Sequence, residues 1–391
     1  LWLRMLEAPR HIEARLRDEL RTEHDSTLPR FDVLATLNRY PGGLRMSELS
    51  AHLKVSNGNV TGIVDRLVTE GLIERIAVAG DRRALSRAIT LIESSRADHR
   101  DQAALLMERL KGAGRQAVRV GLSGTPGVGK STFIESFGTM LTGQGMKVAV
   151  LAVDPSSARS GGSILGDKTR MEQLSRDPNA FIRPSPSQSH LGGVARRTRE
   201  AVAVCEAAGF DVVLIETVGV GQSETVVAEM SDLFILLLAP AGGDELQGVK
   251  RGIMEIADII LVNKADGDLK PAATRTCTDY AGALRLLRKR PQDPEGFPKA
   301  MMVSARENEG LQKAWDEMTA LVEWRRENGF FDARREDQAR YWFEQEVRNG
   351  LLSRLETPQA RAAMQDYSKR VAGGALTPTV AAQELLDALG R

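Results

Sequence analysis

The chain has 391 residues, 42% of them apolar, enough for two or three globular domains with proper cores. Its 53 basic residues nearly cancel its 52 acidic ones, so no global field draws it to nucleic acid or to an anionic membrane, and partners must be found by local sites. Two cysteines, Cys205 and Cys277, cannot build a disulfide framework, and no apolar run reaches the roughly 18 to 20 residues of a membrane span; a reducing cytoplasm and no membrane association are expected.

The chain opens on Leu1-Trp2-Leu3-Arg4, without an initiator Met and without the succession of a signal peptide, so nothing argues for export and the true start is to be sought upstream. Residues 1–83 have helical periodicity, with Ile12, Leu16 and Leu20 on one face and, after Pro29, Phe31, Leu34 and Leu37 on another. Residues 84–117 stay helical and polar. Over 118–322 short apolar strands alternate with amphipathic segments, the pattern of a parallel sheet wrapped by helices. Six strands are predicted: "AVRVGLSG", "KVAVLAVD", "DVVLIET", "LFILLLAP", "IILVNKAD" and "AMMVSA". Residues 323–391 return to helix, with Phe330, Tyr341, Trp342 and Phe343 expected in a core or a dimer seam. The fold class is therefore α/β, a P-loop NTPase parallel sheet flanked by helices, with helical segments at both ends.

The strongest chemical signal is "GLSGTPGVGKST". Gly124, Gly129, Lys130 and Ser131 satisfy G-x-x-x-x-G-K-[ST], and Thr125, Pro126, Gly127, Val128 and Thr132 complete the loop. Such glycines let backbone N–H groups converge on the β- and γ-phosphates, Lys130 adds a mobile positive charge, and the Ser131 hydroxyl is placed for Mg²⁺. A strand-like run precedes the loop and a helix-like run follows it, as the motif requires.

The base is specified at "IILVNKAD", where Asn263, Lys264 and Asp266 form N-K-x-D at the end of a buried strand. An Asp carboxylate there accepts from both the N1–H and the exocyclic amino group of guanine, while the Lys stem lies on the ring face. Adenine lacks that donor pair, so the nucleotide is expected to be GTP or GDP. Ser304 and Ala305 of "VSARE" suit the loop that offers a backbone N–H to the guanine carbonyl oxygen. In "VLIETVGVGQSE" a strand ends in Glu216, the acidic residue expected in the Mg²⁺ shell, and Gly219 is placed to give its N–H to the γ-phosphate. Val220 stands where many GTPases carry a water-orienting Gln, and Gln222 comes two places later. Slow intrinsic hydrolysis that a partner accelerates is the expectation.

With Glu216 standing where an Asp is usual, the stretches "VLAVDPSSARSGGSILGDKTRM", "FIRPSPSQSHLGGVARRTRE", "CEAAGFDVVLIETVGVGQSE" and "GDELQGVKRGI" resemble the MeaB (formerly ArgK) branch of the P-loop GTPases, from about Gly80 to the C-terminus. The resemblance implies a GTP-gated chaperone of adenosylcobalamin-dependent methylmalonyl-CoA mutase or a related acyl-CoA mutase, guarding cofactor loading and stimulated in turn by the mutase. It implies that Asp154 and Asp167 join Ser131 and Glu216 around Mg²⁺, and that Lys250 of "GGDELQGVK" compensates charge in a loop that meets the mutase. This chain reads "APAGGDELQ" where the family is expected to read "PGAGDELQ". The aromatic tail resembles the family's dimerisation arm, implying a homodimer.

Residues 1–83 do not share that resemblance. "LPRFDVLATLNRYPGGLRMSELSAHLKVSNGNVTGIVDRLVTEGLIERI" resembles the winged-helix repressors of the MarR type, with 46–53 as supporting helix, 56–70 as recognition helix, Ser47 and Ser56 as N-caps, and Asn57, Asn59 and Thr61 near the recognition-helix start. The match stops in the wing at Gly80–Ala84, a five-residue word that both families share. Without a return strand and dimer helices, Arg82 and Arg83 lose the hairpin that would carry them into the minor groove. An appendage is the favoured reading. A GTP-responsive transcription regulator is the alternative function, and a nucleotide-binding module without turnover is a third.

Overall fold

The computed structural model describes residues 16–22, 26–40, 44, 46–55, 57–69, 82–94, 96–110, 116–153, 171–183, 191–217, 223–240, 251–355 and 357–389. The chain divides into two compact units, Leu1–Ala77 and Val78–Arg391. In the first, helices α1 (Leu28–Asn38), α2 (Met46–Leu53) and α3 (Asn57–Thr69) enclose a small core of Val33, Leu49, Val60, Val64 and Leu67. Two details differ here. Helix α2 begins at Met46, ahead of Ser47, and Phe31 is exposed because the buried stripe of α1 is centred on Val33. Ser56, the other expected cap, lies outside the described residues.

The second unit begins with α4 (Arg82–Glu93) and α5 (Ala97–Leu110). Leu85, Ile89 and Ile92, at helical spacing, bury one face of α4 in the main core. Arg82 starts this helix, and its guanidinium donates to the carbonyls of Asp177 (3.1 Å) and Ser175 (3.3 Å). Arg82, expected to have lost the wing hairpin, is thus engaged by the second unit's own backbone.

A seven-stranded, all-parallel sheet follows, in the order β3-β2-β4-β1-β5-β6-β7. The strands are β1 (Val118–Gly124), β2 (Val148–Val153), β3 (Ala180–Arg183), β4 (Val212–Thr217), β5 (Leu233–Leu238), β6 (Ile259–Val262) and β7 (Lys299–Met302). Six were predicted. The seventh, β3, is an edge strand whose apolar run is only Ala180 to Ile182 before Arg183 and Pro184, and it forms by pairing with β2. Intervening helices are α6 (Lys130–Gly143), α7 (Glu172–Arg176), α8 (Leu191–Ala207), α9 (Ser223–Ala228), α10 (Arg251–Ile256) and α11 (Lys270–Arg285). They cover both faces, which is why β4 and β5 are buried at every position and read as continuous apolar runs. The chain ends in α12 (Leu311–Glu327), α13 (Phe330–Leu355), α14 (Pro358–Ala372) and α15 (Pro378–Leu389). Among the described residues no helix is long and apolar enough to cross a membrane.

The N-terminal edge of the sheet is fastened by aspartates that each precede a strand. Asp211 accepts from the Lys147 N–H at 2.8 Å, Asp232 from the Arg119 N–H at 2.8 Å, and Asp258 from the Phe234 N–H at 2.7 Å. Arginines then tie the C-terminal helices to this edge. Arg335 of α13 pairs with Asp232 through Nε (2.9 Å) and Nη2 (2.8 Å), while Arg325 of α12 reaches both Asp258 and Asp293 at 2.6 Å. Burial pushes the Asp258 carboxyl up, but Arg325 and Arg290 outweigh it and hold it below the ordinary carboxylate range. Of the tail aromatics, Trp342 joins the core, Tyr341 and Phe343 are exposed, and Phe330 stacks on Trp324 at 5.6 Å.

Candidate nucleotide site

The predicted site residues lie at the C-terminal edge of the sheet, where loops leave β1, β4, β6 and β7. Gly124 ends β1 so close to β5 that a Cβ there would stand 2.4 Å from the Leu237 carbonyl oxygen, so no larger residue fits. The chain turns through Thr125, Pro126, Gly127 and Val128 into Gly129, whose φ of +90° is open to glycine, and α6 starts at Lys130. Only Val128 of that loop is buried; Thr125, Ser131 and Lys130 are half-buried, and Pro126, Gly127 and Thr132 are exposed. A phosphate chain can therefore meet the backbone N–H groups from outside.

The Lys130 ammonium donates to the carbonyls of Gly124 (2.6 Å) and Thr125 (3.4 Å). Burial lowers its pKa, opposed by the carboxylates of Glu216 and Glu224, which favour the charged form. Glu216 is 5% exposed, one residue from the end of β4, and lies beside Leu122 of β1 in the sheet register. Thr217 next to it donates to the Ser123 hydroxyl at 3.2 Å, holding this end of β4 to β1.

The N-K-x-D residues are joined directly to the loop expected to bind phosphate. Asn263 follows β6, is 2% exposed, and donates through Nδ2 to the Val128 carbonyl (3.0 Å) while Oδ1 accepts from the Ala305 N–H (3.1 Å). Lys264 stands at φ +58° and its Nζ donates to the Gly127 carbonyl at 2.7 Å. The Asp266 carboxylate accepts from the Ser304 hydroxyl, whose oxygen also accepts from the Glu307 N–H at 3.1 Å. Ser136 of α6 donates to the Ala305 carbonyl at 2.6 Å, a further tie between the two loops. Gly124 through Thr132, Asn263, Lys264, Asp266, Ser304 and Ala305 thus form one connected surface. Asp154, Asp167, Gly219 and Lys250 lie outside the described residues.

Glu224 was not singled out in the sequence. It is 1% exposed in the first turn of α9, near enough to Lys130 to favour its charge. An acid in a first helical turn has an ordinary dipole explanation, so no local signal separates it from a surface residue. Ser131 in the first turn of α6 and Glu216 near the end of β4 offer a hydroxyl and a carboxylate, hard oxygen donors of the kind Mg²⁺ prefers.

Residues 85–360 match a family described as the methylmalonyl Co-A mutase-associated GTPase MeaB, and residues 24–84 match the MarR family. A putative GTPase of Caulobacter vibrioides is 53% identical over 320 residues, covering 81% of this chain and 97% of the relative. The mouse mitochondrial methylmalonic aciduria type A homolog is 48% identical over 336 residues, 83% of this chain and 79% of the relative. The GTPase ArgK of Escherichia coli is 46% identical over 280 residues, 71% and 83% respectively. A crystal structure described as LAO/AO transport system kinase superposes with a TM-score of 0.62 at 34% identity, covering 80% of this chain and 95% of that one.

Proposed function

The chain belongs to the MeaB family of methylmalonyl-CoA mutase-associated GTPases and is a GTP hydrolase, and from that premise we propose that its nucleotide cycle gates adenosylcobalamin loading and protection of methylmalonyl-CoA mutase or a related acyl-CoA mutase. The observation that carries the nucleotide assignment is the double hydrogen bond of Asn263, to Val128 of the phosphate loop and Ala305 of the base loop. It makes guanine recognition and phosphate binding one unit.

In this reading GTP lies along Gly124 to Thr132, with Lys130 leaving the Gly124 carbonyl for the phosphates and Asp266 accepting from the guanine N1–H and amino group. Ser131 and Glu216, with Asp154 and Asp167, would hold Mg²⁺, which supplies charge neutralisation at the phosphates. Gly219 would donate to the γ-phosphate and Lys250 would compensate charge. Hydrolysis is slow without a partner because Val220 cannot orient water. The homodimer is part of the same proposal, supported by Phe343, Val347 and Leu351, exposed at four-residue spacing along α13. The free cysteines suit a reducing cytoplasm.

The deciding experiment is GTP hydrolysis by the purified chain with and without a purified adenosylcobalamin-dependent methylmalonyl-CoA mutase. Slow basal turnover that rises severalfold with the mutase is expected; turnover indifferent to it would remove the chaperone reading. Light scattering tests the dimer, and a monomer mass would refute it.

A second reading has its own observation, the three-helix core of α1 to α3 under the MarR match. It makes the chain a GTP-responsive DNA reader. A gel shift on DNA flanking its own gene, with GTP and with GDP, tests it, and we expect no salt-sensitive shift in either state.

A further inference from the structure

Helix α9 connects the nucleotide edge of the sheet to its fastened edge. It starts at Ser223, a short link after β4 ends at Thr217, and carries Glu224, whose charge Lys130 senses, in its first turn. It lies tightly on β1: a Cβ on Gly121 would stand 2.4 Å from the Ser231 hydroxyl and 2.8 Å from Val227. Only a glycine fits at 121, so Val227 of α9 and Ser231 just beyond it pack directly on the backbone of β1.

What fixes α9 at its far end is a set of donors from α13. Arg334 donates through Nε to the Ser231 carbonyl (2.9 Å) and through Nη2 to the Ala228 carbonyl (2.8 Å). Gln338 donates to the same Ser231 carbonyl at 2.8 Å, and the Trp342 indole N–H to the Glu229 carbonyl at 3.1 Å. Residues 334, 338 and 342 are four apart and so share one face of α13. Every carbonyl they take lies at the C-terminal end of α9 or in the link to β5, where a helix leaves its last carbonyls without intrahelical donors and carries partial negative charge. The sheet itself is fastened separately, by Arg325 and Arg335 on Asp258 and Asp232. Arg334 touches neither aspartate in these bonds; it holds α9.

We propose that Arg334 is a positioning residue for GTP turnover: by fixing the C-terminal end of α9 it sets where Glu224 stands relative to Lys130, and so tunes turnover and the preference for GTP over GDP. The link runs from a guanidinium in α13, through one short helix, to the lysine of the phosphate loop. It also gives α13 a means of sensing nucleotide state.

The test uses the full chain without any mutase, so its failure is separate from failure of the chaperone reading. Arg334→Ala, Arg334→Lys and the exposed, same-helix control Arg340→Ala are compared for GDP affinity, affinity for a non-hydrolysable GTP analogue, and single-turnover hydrolysis. GDP affinity is expected to stay within about 2-fold, while Arg334→Ala changes hydrolysis and the GTP-to-GDP affinity ratio by about 3- to 10-fold. Arg334→Lys falls between, and Arg340→Ala matches the parent. Adding Glu224→Gln to Arg334→Ala is expected to change the rate less than Glu224→Gln does alone, since both would act through the position of one carboxylate. A lowered melting temperature with unchanged rate and ratio would overturn the proposal, as would fully additive effects. If Arg334→Ala does not fold, Gln338→Met removes one donor at similar volume and is held to the same criteria.

Discussion

The Asn263 side chain donates to the Val128 carbonyl at 3.0 Å, so the residue that opens the base-reading loop also closes the phosphate loop. Its other amide atom takes the Ala305 N–H. Asn263→Ala would leave two buried backbone groups unpaired, at about 1–3 kcal/mol each. We expect a lower melting temperature together with GDP affinity weakened by at least about tenfold, read by fluorescent-GDP titration. Loss of stability without loss of affinity would separate the two loops.

In the proposed site Asp266 sets the base. Its carboxylate is oriented by the Ser304 hydroxyl, and Asp266→Asn replaces one acceptor with a donor. GTP affinity should fall at least about 100-fold while xanthine nucleotides gain, measured by competition. Unchanged GTP affinity would sink the guanine assignment.

Two glycines of one helix region should respond in opposite directions. At Gly129 a Cβ would stand 2.9 Å from Asn263 Nδ2, on a backbone at φ +90°, so Gly129→Ala should cost about 1–3 kcal/mol and abolish nucleotide binding. Gly143, in the last turn of α6, has open space around it, and Gly143→Ala should stabilise by about 0.4–1 kcal/mol with binding intact. Thermal melts with and without GDP check both.

Much of this site was legible because its information is local. The spacing of Gly124, Gly129, Lys130 and Ser131, and the N-K-x-D after an apolar strand, encode a turn and its chemistry within a few residues. Strand β3 was missed because its apolar run is only three residues, cut off by Arg183 and Pro184, and Glu224 because its burial depends on where α9 lands. The arginines at 325, 334 and 335 sit in a charge-rich run that reads as a solvated face. Their partners did leave a trace: Asp211, Asp232 and Asp258 each stand one residue before an apolar strand. That repeated placement marks a common edge, though nothing local says which arginines reach it.

The buried pair Arg325–Asp258 predicts a pH dependence. Asp258 has a folded pKa below its unfolded value, so its stabilisation is present above about pH 4 and is lost as pH falls through the lowered pKa. Arg325→Met leaves Asp258 and Asp293 to share Arg290 alone, two buried carboxylates on one cation, and should cost up to about 3–5 kcal/mol at neutral pH. The gap between variant and parent should narrow on acidification, as protonation relieves the excess negative charge. Melting temperatures from pH 7 down to pH 4 would show it, and a gap that widened would contradict the assignment.

Because every strand of the sheet points the same way, the loops that meet nucleotide all leave one edge and the aspartate–arginine ties all sit at the other. Inherited or engineered changes in this chain should therefore sort by address. Those at the tied edge alter how much protein survives in a cell, those at the loop edge alter what the surviving protein does, and α9, which runs from one to the other, is where a single change can do both. Loop exchange at the nucleotide edge thus has a scaffold whose fastenings it need not disturb.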